Sequence, residues 1–277
     1  MSRNSSRKKA TAGLENDKPA PADPVATTGF NFSAPTEHVD LPSGGKFYPE
    51  GHPLHDKDTV EIKYMTAKEE DILTSQNLIK KGVVIDRLID SLILTEGVST
   101  DDLVVGDKNA VMVASRILAY GPEYICDVTD PKTQQVSSHT FNLADCPFKK
   151  LSKNVKENSF EVTLPISKKK IKFSLLTGKE EKLIEKDLDA SKKVGVIAPE
   201  LTTRLRYLIK EVDGDNSQSV INDISLNMLA RDSMYLRKEI QKVSPDIELT
   251  QEIEIGGESV KVDIPMTVGF FWPDSEG

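Results

Sequence analysis

Few residues in this chain have the types and spacing for chemistry. Of the histidines His38, His52, His55 and His139, only the run His52-Pro53-Leu54-His55-Asp56 resembles a ligand cluster. A His-x-x-His pair on a Pro-interrupted loop lacks the helical spacing and the third ligand of a zinc site, so a polar turn is the expected reading. Cys126 and Cys146, with His139 between them, fall on opposite arms of a predicted hairpin and could approach one another. No Cys-x-x-Cys pair completes a ribbon-type site, and two buried or half-buried thiols are expected. Gly44-Gly45-Lys46 has a single glycine pair and no helix behind it, so it reads as a turn rather than a phosphate loop. No Gly-x-Ser-x-Gly elbow occurs. The carboxylate pairs Glu69-Glu70, Glu180-Glu181 and Asp101-Asp102 stand at predicted helix starts, where they favour the helix dipole and read as solvated first turns. Lys168 to Lys170 form a charged hairpin turn. Neither a catalytic residue, a cofactor nor a metal is expected.

The elements that would position such residues occur twice. Lys63-Tyr64-Met65-Thr66-Ala67-Lys68-Glu69-Glu70 returns as Ser174-Leu175-Leu176-Thr177-Gly178-Lys179-Glu180-Glu181. Downstream, Lys80-Lys81-Gly82-Val83-Val84-Ile85 is echoed by Lys192-Lys193-Val194-Gly195-Val196-Ile197, and Arg87-Leu88 by Arg204-Leu205. The copies lie about 110 residues apart, too long a period for a solenoid, and point to a duplicated structural module.

Thr59 to Tyr64 alternates apolar and polar residues as a half-buried strand does. Thr66 with Glu69, and Thr177 with Glu180, fit a capping box and predict a helix start in each copy. The next helices place Ile85, Leu88, Ile89, Leu92 and Ile93, and in the second copy Leu201, Leu205, Leu208, Ile209 and Val212, on one apolar stripe. Third helices are predicted over about Asp101 to Ala119 and about Ser217 to Lys242, each ended by a Pro-containing break. Hairpins follow: Tyr124 to Val128 with His139 to Leu143 through a turn near Asp130-Pro131, and Ile253-Ile255 with Val260-Val262-Ile264 through Gly256-Gly257. Another, Phe160 to Leu164 with Ile171 to Phe173, joins the copies. The fold class expected is α+β: two pseudo-repeats, each a strand, two or three amphipathic helices and a terminal hairpin. The boundaries are a disordered tail over 1–35, a first repeat over 36–150 and a second over 151–277.

A net charge of −8 at pH 7 argues against general nucleic-acid binding. The polar start of the chain, the two cysteines and the short aliphatic runs predict a soluble product of a reducing cytoplasm with no membrane span. Near the other end, Phe270-Phe271-Trp272 is a dense aromatic cluster. The favoured expectation is that it folds back to seal the second half; the other is that it anchors a partner.

Leu41-Pro42-Ser43-Gly44-Gly45-Lys46-Phe47-Tyr48, the strand leading into Met65-Thr66-Ala67-Lys68-Glu69-Glu70, Arg116 followed by Tyr120-Gly121-Pro122-Glu123-Tyr124, and the ending Phe270-Phe271-Trp272-Pro273 together resemble the baseplate hub family of T-even-type contractile-tailed bacteriophages. The resemblance spans roughly residues 39 to 273. It implies a non-enzymatic structural subunit of the tail baseplate hub, a late protein made in the host cytoplasm that reaches the virion and binds other hub or tail proteins. Leu41, Pro42, Phe47, Tyr48, Phe270, Phe271 and Trp272 are its hypothetical contact strips, with self-association left open. Some relatives carry cysteine pairs at the hairpin after the Tyr-Gly segment; this chain keeps only Cys126 and Cys146, so structural zinc is not carried over. Two alternatives remain. One is a chaperone-like assembly factor that leaves before the tail is finished; the other is a metal-dependent enzyme using His52, His55 and Asp56.

Overall fold

The alternation over Thr59–Lys63 (β2) buries Val60 and Ile62 against the core, and this strand pairs antiparallel with Thr36–Asp40 (β1). The computed structural model describes residues 33–129, 136–149, 151, 155–193, 199–255, 258–264, 266 and 268–271. Most of the expected tail therefore lies outside the described residues, as do the Asp130-Pro131 and Gly256-Gly257 turns, Val194 to Ile197, and Trp272.

After β2 come the helices Ala67–Thr74 (α1), Gln76–Lys80 (α2), Val84–Leu92 (α3) and Val105–Tyr120 (α4), then the hairpin Glu123–Thr129 (β3) with Val136–Asn142 (β4) and a 3-10 turn at Leu143–Asp145. The second run repeats this order. Phe160–Thr163 (β5) pairs with Lys170–Phe173 (β6), followed by Gly178–Lys193 (α5), Glu200–Leu208 (α6), a strand Ile209–Val212 (β7), Gln218–Asn227 (α7), Ala230–Val243 (α8) and the hairpin Thr250–Ile255 (β8) with Glu258–Asp263 (β9). A 3-10 turn, Val268–Phe271, closes the described chain. The fold is α+β, and its described sheets are antiparallel: β1-β2, β3-β4, β5-β6-β7 and β8-β9.

The helix starts follow the capping pattern. Glu69 reaches back to the Thr66 amide (3.0 Å) and accepts the Thr66 hydroxyl (2.6 Å), and Glu180 accepts the Thr177 amide at 3.0 Å. Two expectations about the second copy are corrected. Ile209 and Val212 do not extend the helical stripe. They leave α6 as a strand, because β-branched residues at the helix end can pair with β6 and bury both side chains. The first copy does the same in miniature, where Ile93 bridges Ile62 just after α3. Leu201, counted on the buried stripe, is 43% exposed. The long third helix is two helices, α7 and α8, broken at Met228 and Leu229, whose ψ angles of 130 and 140° are extended.

Residues 34–277 form one compact unit, and the copies interlock within it. Backbone bonds run from Gly178 N to Leu103 O (2.9 Å), Lys179 N to Asp101 O (2.9 Å), Lys149 N to Asp246 O (2.8 Å) and Glu248 N to Pro147 O (2.8 Å). Two glycines permit the approach, one from each copy. A Cβ on Gly106 would stand 1.9 Å from Pro245 O, and one on Gly178 would stand 2.1 Å from Thr100 O. Only hydrogen fits at either position.

Candidate functional site

The Leu41 to Tyr48 strip folds over the start of α4. Leu41, Phe47 and Tyr48 are 4 to 6% exposed and Pro42 is buried, so the strip is packed inside rather than displayed. Gly44 and Gly45 take φ of 56 and 70°, and the turn they make aims Ser43 at α4. Asp107, the third residue of that helix, receives it. Its carboxylate accepts from Ser43 N (2.9 Å), Ser43 Oγ (2.5 Å) and the Tyr48 hydroxyl (2.7 Å). Burial pushes the Asp107 carboxyl above its ordinary value, more than the Ser43 and Tyr48 hydrogen bonds pull it down. Burial, followed by the Asp107 charge, raises the Tyr48 phenol far above its ordinary range.

The aromatic strip holds the other end of α4. Arg116 Nε donates to Phe270 O at 2.9 Å, and its guanidinium lies 4.9 Å from the Tyr120 ring centre and 6.0 Å from that of Tyr124. Burial lowers its pKa from the ordinary value. Phe270 meets Tyr124 at 5.0 Å and Phe271 at 5.5 Å, and both phenylalanines are fully buried. The chain end does fold back, but onto the wrong half for the expectation. Phe270 and Phe271 join the core of Leu41, Tyr48, Leu88, Phe141 and other first-copy residues, because Arg116, Tyr124 and the β3-β4 hairpin there offer partners for both the rings and the carbonyl.

The six described strip residues thus lie near the two ends of one helix and are buried in the chain as folded. Apolar rings of this size find more area inside the chain than on its surface.

The sequence reading missed a second clasp. In the other copy Asp232, again the third residue of its helix (α8), is fully buried and accepts from Ile166 N (2.8 Å) and Ser167 N (2.9 Å) in the β5-β6 turn. Burial pushes its pKa up, but those two amides outweigh it and hold the carboxyl below its ordinary value. The signal was present in the chain: Leu41-Pro42 before one turn and Leu164-Pro165 before the other, with an aspartate at the third position of a later helix. Each aspartate ties its copy's opening strand loop to that copy's last helix.

Other charged residues are also committed to the fold. Glu69, fully buried, binds Lys63 Nζ (2.7 Å) and the Ser91 hydroxyl (2.7 Å) besides Thr66. Burial works against its charge, but the Lys63, Thr66 and Ser91 hydrogen bonds prevail and bring its pKa to about 2. Asp86 pairs with Lys108 at 2.5 Å and with Lys182 of the other copy at 3.0 Å.

The residues first considered for metal chemistry are dispersed into structural roles. His52 stacks on Tyr48 at 4.9 Å, and its Nδ1 accepts from Leu54 N. His55 Nδ1 faces Tyr48 O at 2.7 Å. Cys126 lies opposite His139 in the hairpin, whereas Cys146 lies beyond it with Gln251 Nε2 at 3.2 Å. Among the described residues no group of three His, Cys, Asp or Glu side chains could hold a metal ion, and no helix is long and apolar enough to cross a membrane.

Comparison of the chain with protein-family models, with curated proteins and with solved structures finds no match.

Proposed function

We propose that this protein is a non-enzymatic structural subunit of a contractile phage tail's baseplate hub, working through contacts with other hub or tail proteins. The observation that supports this reading most is where its buried charges go. Asp107, Asp232, Glu69 and Arg116 each hold two segments of the chain together, so the buried ionisable groups that would be first candidates for acid/base work already serve the fold. The result is a scaffold of two interlocked copies. That suits a part whose task is to present surfaces at fixed positions. The hub assignment itself comes from the ordered resemblance of the Leu-Pro-Ser, Thr-x-Lys-Glu-Glu, Tyr-Gly-Pro and Phe-Phe-Trp-Pro segments.

The experiment is quantitative mass spectrometry of purified phage particles beside the infected-cell lysate. A small, fixed number of copies per tail is the expected result. Abundance in lysate with absence from particles would replace the subunit reading with that of an assembly factor that leaves before completion.

A further inference from the structure

Among the described residues one flank of helix α4 is only partly covered. Val113, Ala114, Ile117 and Leu118 on that flank, with Phe148 at the rim, line a groove of about 280 Å3 whose other wall is β1. Four consecutive β1 residues, Glu37 to Asp40, border it. Side chains alternate faces along a strand, so four in a row mean that the backbone edge itself faces the groove.

That edge is open. Pro35 O accepts from Tyr64 N, and Leu41 N donates to Asp58 O, so the odd-numbered residues bond across to β2. By alternation Thr36, His38 and Asp40 turn their N–H and C=O groups outward. The far edge of the same small sheet is closed, since Leu94 N donates to Glu61 O at 2.9 Å and Glu61 N to Thr95 Oγ1 at 3.2 Å. Among the described residues β1 pairs with β2 alone. A 3.3 Å bond runs from His38 N to the neighbouring Glu37 carboxylate. Exposed edges are usually blunted by shortness, charge (lysine above all), proline or a bulge. Thr36 to Asp40 is short and carries Glu37 and Asp40, but it has no lysine or proline and its register with β2 is unbroken.

We propose that this groove accepts an extended segment of another protein. The segment pairs with β1 as an added strand, sets apolar side chains at alternate positions on the α4 flank, and carries Lys or Arg against Glu37 and Asp40. Strand addition of this kind draws affinity from main-chain bonds and specificity from pockets for alternate side chains. The sign of the charge identifies the partner. Glu37 and Asp40 are the charged residues beside the groove apart from His38, and the whole chain carries −8, so a cationic strand is complementary whereas a second copy of this chain brings the same sign. The inference deepens the proposed function and rests on its reading that the chain works by holding other proteins.

The test titrates the full chain with two synthetic peptides, Lys-Val-Thr-Val-Lys-Val and Glu-Val-Thr-Val-Glu-Val, followed by amide NMR and fluorescence anisotropy. The basic peptide is expected to move the Thr36, His38 and Asp40 amides and to bind at least about tenfold more tightly than the acidic one. His38→Pro removes an outward N–H without touching the bonds to β2 and should abolish the response. The double variant Glu37→Lys with Asp40→Lys should reverse the preference between the peptides, and it carries the test alone if the proline variant loses its fold. Equal response to both peptides, shifts confined to other surfaces, unchanged binding by the variants, no saturation at millimolar peptide, or a dimer through β1 would each overturn the proposal. The two readings fail separately. A silent peptide assay beside a fixed particle copy number leaves the hub role with a different contact face; specific binding by a chain absent from particles leaves the strand site without the hub.

Discussion

Asp107 and Asp232 do the same mechanical job in the two copies under different electrostatic conditions. Asp107 accepts two hydroxyls and one amide, and burial outweighs them in its titration; at Asp232 burial is again the largest single influence, but the Ile166 and Ser167 hydrogen bonds together outweigh it. The cores differ in a parallel way. Leu164, Ile171, Phe173, Leu205, Ile209, Val212, Ile221 and Leu236 all come from the second copy and pack on one another. The first copy's core is composite and takes Ile247, Ile264, Phe270 and Phe271 from the end of the chain. The second copy's main cluster is drawn from that copy alone, the first copy's is completed by the other, and a third cluster joins Phe47 and Val104 to Leu175 across the two.

The largest expected effects test that asymmetry. Phe271→Ala should lower stability by about 3 to 5 kcal/mol in urea unfolding, since it empties a fully buried aromatic site. Leu236→Ala, equally buried in the second core, should cost about 2 to 5 kcal/mol. The two should differ in which half loosens, not merely in size. Next come the close approaches: Gly106→Ala and Gly178→Ala each force a methyl group into a carbonyl of the opposite copy and should cost about 1 to 3 kcal/mol or more. A tolerated alanine at either position would show that the copies are not locked there.

The clasps should respond to pH with opposite signs. Asp107 has a raised carboxyl pKa in the folded state, so its contribution is fully present below the ordinary value of 3.8 and is lost as pH rises through the folded value. Asp232 has a lowered one, so its contribution is present above 3.8 and is lost as pH falls. Asp107→Asn should therefore flatten the fall of stability on the alkaline side of the carboxylate range, and Asp232→Asn the fall on the acid side; matching profiles for the two variants would contradict the contrast. Each substitution also strands donors and should cost about 1 to 3 kcal/mol at neutral pH. Glu69 behaves like Asp232. Its contribution, about 3 kcal/mol, should hold above pH 4.5 and fade as pH drops towards about 2. The smallest effect is expected at Lys182, which is 38% exposed: Lys182→Ala should cost less than about 1 kcal/mol, and less still in high salt.

Local structure was largely legible in the sequence, because it follows from short-range rules. Period-two alternation located β2, and the Thr-x-x-Glu spacing located the starts of α1 and α5. What escaped was decided by distant partners. Ile209 to Val212 has a helical stripe but becomes β7 because β6 is there to pair with. Met228 and Leu229 carry no glycine or proline, yet α8 restarts after them, with Asp232 at its third position facing the Ile166 and Ser167 amides. The candidate strips were found as sequence features, and the favoured fold-back of the aromatic one went to the first copy's core rather than the second's, since an aromatic cluster looks alike whichever surface it covers. Asp107 and Asp232 were passed over because an aspartate in a first helical turn ordinarily signals only a favourable dipole.

The most direct test of the composite core is hydrogen exchange of the chain truncated after Ile264, compared with the full chain. Protection should fall in α4, β3 and β4, far from the cut in sequence, while β5, β6 and β7 keep theirs. Loss confined to the second copy, with α4 and the β3-β4 hairpin unchanged, would contradict the composite core and return the aromatic ending to the role of sealing its own half.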